Sequence, residues 1–222
     1  MKLGVLFSGG KDSVYAAYVA KKFGHDVVCL LSVFSSNKDS FMFHTPAIEN
    51  TKVQADAMRI PILIRKTKGE KENELKDLKK LISDAKKKYG IDGVVTGAIK
   101  SVYQASRIQK ICDELNMECF NPLWQIEEEK YVEELISKKF EIVVVGVFAF
   151  PFDESWLFRK IDATFLKELK MLNAKYGINV AGEGGEFETF VLNCPLYKKK
   201  LQIKNKKVLK EGGNSFRGIL EL

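Results

Sequence analysis

The chain has 222 residues and carries 36 Lys+Arg against 29 Asp+Glu, a formal net charge of +7. With 45% hydrophobic and 29% charged residues it has the composition of a folded globular chain, which excludes wholesale disorder. No apolar stretch reaches the ~18 residues of a membrane helix, and the apolar run from Leu3 to Phe7 is shorter than the ~7 residues of a secretory core, so a cytoplasmic location is expected.

Lys2 to Phe7 predicts a first strand, and Ser13 to Lys22 a helix with Val14, Ala17 and Tyr18 on one face and Gly24 just past its end. Val27 to Phe34 is a second strand. Thr45-Pro46 has the hydroxyl and proline of a helix start, and that helix runs to about Met58. Ile62 to Ile64 is a third strand. A lysine-rich helix follows, with Leu75, Leu78, Ile82, Ala85 and Tyr89 on one stripe, and stops at Gly90.

Gly93 to Gly97 is a fourth strand, Ser101 to Asn116 a helix, Glu118 to Phe120 a short strand and Glu127 to Phe140 a helix. Ile142 to Phe148 is the last long apolar strand. This alternation predicts an α/β fold of the doubly wound type, a parallel sheet covered on both faces, over residues 1–150. After Pro151 come one more helix, through Phe165, Leu169, Leu172 and Tyr176, and then short strands with turns at Asn205-Lys206 and Gly212-Gly213-Asn214. Residues 151–222 are therefore expected to form a small, mostly antiparallel C-terminal part that binds substrate.

The positive charge suits a polyanion: a nucleotide, RNA or an acidic protein surface. Much of it lies in Lys66 to Lys88 and Lys198 to Lys210, both read first as solvated faces. The cysteines Cys29, Cys112, Cys119 and Cys194 form no CxxC, and only His25 and His44 accompany them. That favours buried thiols over a zinc site or a redox dithiol.

Two segments carry chemistry. The first strand runs into Ser8-Gly9-Gly10-Lys11-Asp12-Ser13, and a helix opens at once. Helix-start amides and paired glycines cradle phosphate, the two hydroxyls add donors, and Lys11 is a mobile cation. Asp12 would repel phosphate unless a divalent cation lies between them, so it reads as a magnesium ligand. Val5 and Asp12 break the Walker pattern and no GxGxxG is present. The loop matches the PP-loop of the ATP pyrophosphatases, which split ATP between its α and β phosphates. Ligands of open parallel sheets sit beyond the strand ends at the switch point, so Ser32-Val33 and Thr96-Gly97 are candidates for nucleoside contacts. The second segment is Gly182-Glu183-Gly184-Gly185-Glu186-Phe187-Glu188-Thr189. Its three carboxylates persist more easily around a cation, whether metal, ammonium or cationic substrate; a solvated acidic turn is the other reading.

These segments, with Met42-Phe43-His44-Thr45, Gly97-Ala98-Ile99, Tyr103-Gln104, Arg107 and Pro122-Leu123-Trp124, resemble the diphthine–ammonia ligase family along nearly the whole chain. Two positions depart from it: Ala47 stands where Asn is expected, and Phe158 where Gly is expected between Leu157 and Arg159. The resemblance implies an AMP-forming ligase that uses ATP, Mg2+ and ammonium to amidate diphthine on translation elongation factor 2. It implies that Lys11 and Asp12 serve the phosphates, and that Glu183, Glu186 and Glu188 hold ammonium or face the substrate's trimethylammonium. Tyr103, Gln104, Arg107, Trp124 and Thr189 would join the substrate site, and Trp124 and Trp156 could offer aromatic faces to the quaternary cation.

Lys2 stands where a glutaminase would need a processed cysteine, so free ammonium is the expected nitrogen donor. No membrane and no direct nucleic-acid contact are expected; a homo-oligomer is left open. The alternatives are a tRNA-modifying PP-loop ligase and a nucleotide-binding regulatory protein without turnover.

Overall fold

A computed structural model describes residues 1–35, 50–68 and 71–222. Five parallel strands form one sheet in the order β3-β2-β1-β4-β5: β1 (Lys2–Leu6), β2 (Asp26–Ser35), β3 (Ile62–Thr67), β4 (Gly93–Val95) and β5 (Glu118–Phe120). The chain winds outward from β1 to β3 and then returns to β4 on the other side of β1. The switch point therefore lies between β1 and β4.

Helices cover both faces. Helix α3 (Lys71–Tyr89) and α4 (Val102–Glu114) bury Leu78, Ile82, Ile108 and Ile111 against Cys29, Leu31, Val33 and Val94. The lysines of α3 alternate with this stripe, and Gly90 ends the helix at φ 63°. On the opposite face α1 (Lys11–Lys22) and α2 (Thr51–Met58) join a larger core that continues into α5 (Glu128–Ser137) and α6 (Ala163–Tyr176). The helix start expected at Thr45-Pro46, the stretch Met42 to Thr45 and Ala47 lie outside the described residues. No helix among the described residues is long and apolar enough to cross a membrane.

The strand expected to close the parallel sheet does not belong to it. Residues Glu141–Val147 form β6, which runs antiparallel to β7 (Phe187–Asn193) and β9 (Ser215–Glu221) in a second sheet ordered β7-β6-β9-β8. Its apolar continuity has a plain cause. Ile142, Val144 and Val147 face the main core, while Val143 and Val145 face a separate cluster with Phe190, Leu201 and Leu220. A strand buried on both faces reads the same whichever way its neighbours run.

Asn205-Lys206, expected as a turn, opens β8 (Asn205–Gly212); Gly213-Asn214 is the hairpin turn, with Gly213 at φ 50°. Strand β8 lies at the sheet edge and is almost wholly exposed.

The departure at Phe158 has a structural counterpart. Its backbone sits at φ 64°, the left-handed region that glycine enters freely. The ring covers Gly218, where a Cβ would fall 2.6 Å from Phe158 Cε1. It also packs against both neighbouring apolar clusters. Packing thus offsets a conformation that costs about 1–3 kcal/mol.

Candidate active site

The phosphate loop leaves β1 through Phe7, whose amide bonds Leu31 O, and turns at Gly9 with φ 81°. Gly10 precedes α1 in extended conformation without a capping side chain. The two serines close on the loop itself: Ser13 Oγ donates to Gly10 O at 3.1 Å and accepts Ser8 N at 3.2 Å. Gly97, at the end of β4, presses on this turn. A Cβ there would lie 2.8 Å from the Asp12 carbonyl carbon, so glycine lets the switch-point strand approach the helix start.

Lys11 is 3% exposed, and its Nζ lies 3.0 Å from both carboxylate oxygens of Asp12. Asp12 remains partly open, with 28% of its side chain accessible. Tyr131, from α5, donates to Asp12 Oδ1 at 2.9 Å.

The C-terminal sheet meets this loop directly. Lys11 N donates to Thr189 Oγ1 at 3.1 Å, and Val191 N donates to Gly9 O at 3.2 Å. Gln54, fully buried on α2, donates through Nε2 to Gly9 O and Val191 O, each at 2.9 Å. Strand β7 would otherwise present an unpaired edge; the phosphate loop closes it.

The three carboxylates of the acidic segment have different surroundings. Glu186 is buried and accepts Asn179 N at 2.7 Å on Oε1 and Gly184 N at 2.9 Å on Oε2. Its own amide-linked carbonyl takes Phe148 N at 2.9 Å. Asn179 in turn accepts Ala181 N and Glu183 N, and donates to Glu128 Oε1 at 2.7 Å. Glu186 is therefore a clasp that shapes its own loop. Glu186→Gln puts an NH2 opposite one of two N–H donors, and is expected to destabilise the chain by about 1–3 kcal/mol. Thermal unfolding should read this as a loss of roughly 2–4 °C per kcal/mol; an unchanged midpoint would remove the clasp.

Glu183 faces Asp12, Lys11 and Glu128 and accepts the Lys100 backbone amide; burial, then the charge of Asp12, push its carboxyl up to about 7. Glu188 lies on β7 facing Arg217, Glu211 and Lys11, and burial pushes its carboxyl up to about 8. Its Oε2 is buried without a hydrogen-bond partner. The folded chain therefore holds a proton on Glu188 that the unfolded chain releases at ordinary carboxylate pH. Its contribution is full below the unfolded value and is lost as pH rises through about 8. Glu188→Gln should flatten the fall in unfolding temperature over that window. An unaltered pH profile of stability would contradict the assignment.

The remaining expected residues are more dispersed. Ser32 Oγ donates to Phe7 O at 2.5 Å, and Val33 is buried in the core beneath α3 and α4, so both side chains serve the sheet. Tyr103, Gln104 and Arg107 lie on the first turns of α4, capped by Ser101 through Gln104 N. The Arg107 guanidinium stacks 3.4 Å from the Tyr103 ring centre. Trp124 is 37% exposed. Trp156 already holds a cation: Arg159 sits 4.2 Å over its face and forks to both Glu168 oxygens at 2.8 Å. The sequence alone does not mark Tyr131, Gln54, Asn179, Glu128 and Lys100 as site residues. Only Tyr131 carried a signal, as part of the buried stripe of α5 with Val132 and Leu135, and that stripe reads as packing.

Residues 1–119 match the family model of the diphthamide synthase N-terminal domain, and residues 127–220 that of the diphthamide synthase C-terminal domain. The chain belongs to the diphthamide synthase family. Among its relatives is a protein of Bos taurus named diphthine–ammonia ligase, 32% identical over 240 residues that span 100% of this chain and 90% of that protein. The Homo sapiens protein of the same name shows the same identity and coverage. The Saccharomyces cerevisiae one is 29% identical, spanning 89% of this chain and 33% of its own length. Among solved structures, a predicted subunit of a tRNA methyltransferase from Methanocaldococcus jannaschii aligns over 90% of this chain and all of its own. Its TM-score is 0.48 and its identity 17%. In this diphthamide synthase family member the break between the two matched regions falls in the connection from β5 to α5, ahead of β6.

Proposed function

We propose that this chain is an ATP-dependent, AMP-forming ligase that amidates diphthine on translation elongation factor 2 with ammonium. The observation that carries the reading is the meeting of the acidic segment with the phosphate loop, in a chain whose relatives are named diphthine–ammonia ligases. Residues more than 170 positions apart (Lys11 N to Thr189 Oγ1, separation 178) become neighbours there.

The donor set at the loop suits a magnesium ion bound chiefly by phosphate. Among the described residues no three metal-ligating side chains cluster, while Asp12 offers one partly open carboxylate; Mg2+ is usually held by one or two carboxylates plus phosphate oxygens and water. When bound on Asp12, Mg2+ supplies charge neutralisation for the departing pyrophosphate.

The chain's own groups perform the rest. The amides at the start of α1 orient the phosphates. Lys11, now resting on Asp12, is the side chain that can turn to the α phosphate and stabilise charge as the substrate carboxylate attacks it. The bond from the α phosphorus to the bridging oxygen breaks, and pyrophosphate leaves. Glu183 holds ammonium beside the acyl adenylate and takes its proton; ammonia attacks the acyl carbon, a second N–H proton passes to solvent as the amide forms, and the bond from the acyl carbon to the AMP oxygen breaks, releasing AMP. A carboxyl poised at about 7 can accept that proton near neutral pH.

The test combines the purified chain, ATP labelled on its α phosphate, ammonium and diphthine-bearing elongation factor 2. The label should appear in AMP, and mass spectrometry should find the amide on the factor. Label in ADP would overturn the PP-loop chemistry. AMP without amide would overturn the substrate while leaving the chemistry.

A further inference from the structure

Tyr131 is fully buried, packed at 5.4 Å between ring centres against Tyr15, and its hydroxyl points at the phosphate loop. Phenylalanine would fill the same space. A buried hydroxyl without a partner costs about 1–3 kcal/mol, so a tyrosine in this core needs an acceptor. The acceptor is Asp12 Oδ1, at 2.9 Å. The need is unequal, because Asp12 is partly open and could reach water instead.

The geometry around Asp12 shows what the hydroxyl adds. Lys11 Nζ lies 3.0 Å from each carboxylate oxygen and does not distinguish them. Tyr131 touches only Oδ1. The same helix reaches the acidic loop through Glu128, three residues earlier and on the same face, which accepts from Asn179 and pairs with Lys100. The first turn of α5 thus braces both halves of the site from one side.

We propose that Tyr131 is a positioning residue: it pins Asp12 Oδ1 so that Oδ2 faces a divalent cation on the bound ATP phosphates. This rests on the nucleotide reading given above, not on the identity of the amidated substrate.

The test uses ATP and metal alone. ATP binding to the full chain is followed by calorimetry at increasing Mg2+, and free Mn2+ is followed by electron paramagnetic resonance in the presence of ATP. Tyr131→Phe should raise the metal concentration for half-saturation about tenfold, the loss expected for one hydrogen bond to a charged group. ATP binding without metal should be unchanged. Asp12→Asn and the double variant should show the same metal dependence as each other, since Tyr131 acts through Asp12. A role in packing alone would lower the unfolding temperature and leave metal half-saturation at the wild-type value, which overturns the proposal. Wild-type protein whose ATP affinity ignores metal would overturn the metal reading and this inference together; a wild-type dependence that Tyr131→Phe preserves overturns the inference alone. Should Tyr131→Phe fail to fold, 3-fluorotyrosine at position 131 keeps the hydroxyl. Its fluorine resonance should shift when Mg2+ joins the ATP complex, and not in Asp12→Asn; a resonance blind to metal overturns the proposal.

Discussion

Asp12→Ala should lower AMP formation by roughly 10³-fold, the scale of losing a group that stabilises charge on a reacting phosphate. The fold should survive. Asp12 is partly exposed, but its removal leaves the buried Lys11 ammonium without its ion-pair partner and the buried Tyr131 hydroxyl without its acceptor, so the unfolding midpoint should fall. Its two neighbours therefore add a loss of stability to the loss of chemistry, and the assay is read on the folded fraction. Circular dichroism and thermal unfolding establish that the variant is folded, and a quenched-flow assay with α-labelled ATP measures the step. Activity within tenfold of wild type would take Asp12 out of the mechanism.

Glu183→Gln should lower amide formation by about 100-fold, as expected for a positioned acid–base group. The ammonium needed for half-maximal rate should rise, while ATP affinity changes little. The pH profile sharpens the test. Burial and the Asp12 charge raise the Glu183 carboxyl to about 7, so it is protonated below that pH and ionised above. A base must be ionised to accept a proton. Wild-type amidation should therefore climb through about pH 7 and the variant should lose that limb. Unlike Glu186→Gln, this variant should unfold at nearly the wild-type temperature, because Glu183 closes none of the loop's internal hydrogen bonds through its carboxylate except that from the Lys100 amide. A variant that keeps the rising limb would assign it to another group.

The phosphate loop is legible because its chemistry is local: a strand end, two glycines, a lysine and an acid within six residues, although the helix opens at Lys11, two residues before the expected Ser13. The acidic segment was legible as an oddity of charge, but its internal division was not. Glu186 and Glu183 differ only in what the fold brings near them, the Asn179 amide for one and Asp12 for the other. The junction between the segments was hidden for a related reason. From sequence, strand β6 reads as parallel, because burial on both faces erases the alternation that marks a half-covered antiparallel strand. Without β6 in the second sheet, nothing in the sequence brings β7 to Gly9. Gln54 and Tyr131 looked like helix interior, and only their partners give their polar ends a purpose.

The two edges of the second sheet face opposite fates. One is met by the phosphate loop, while among the described residues no strand pairs with the outer side of β8, which is flanked by Lys204, Lys206, Lys207 and Lys210. Identical chains that approach by this edge bring lysines against lysines, so the excess of positive charge acts as a colloidal barrier where strand-to-strand growth could begin. The barrier is electrostatic and reaches only as far as ions permit: about 10 Å at 0.1 M salt and about 3 Å at 1 M.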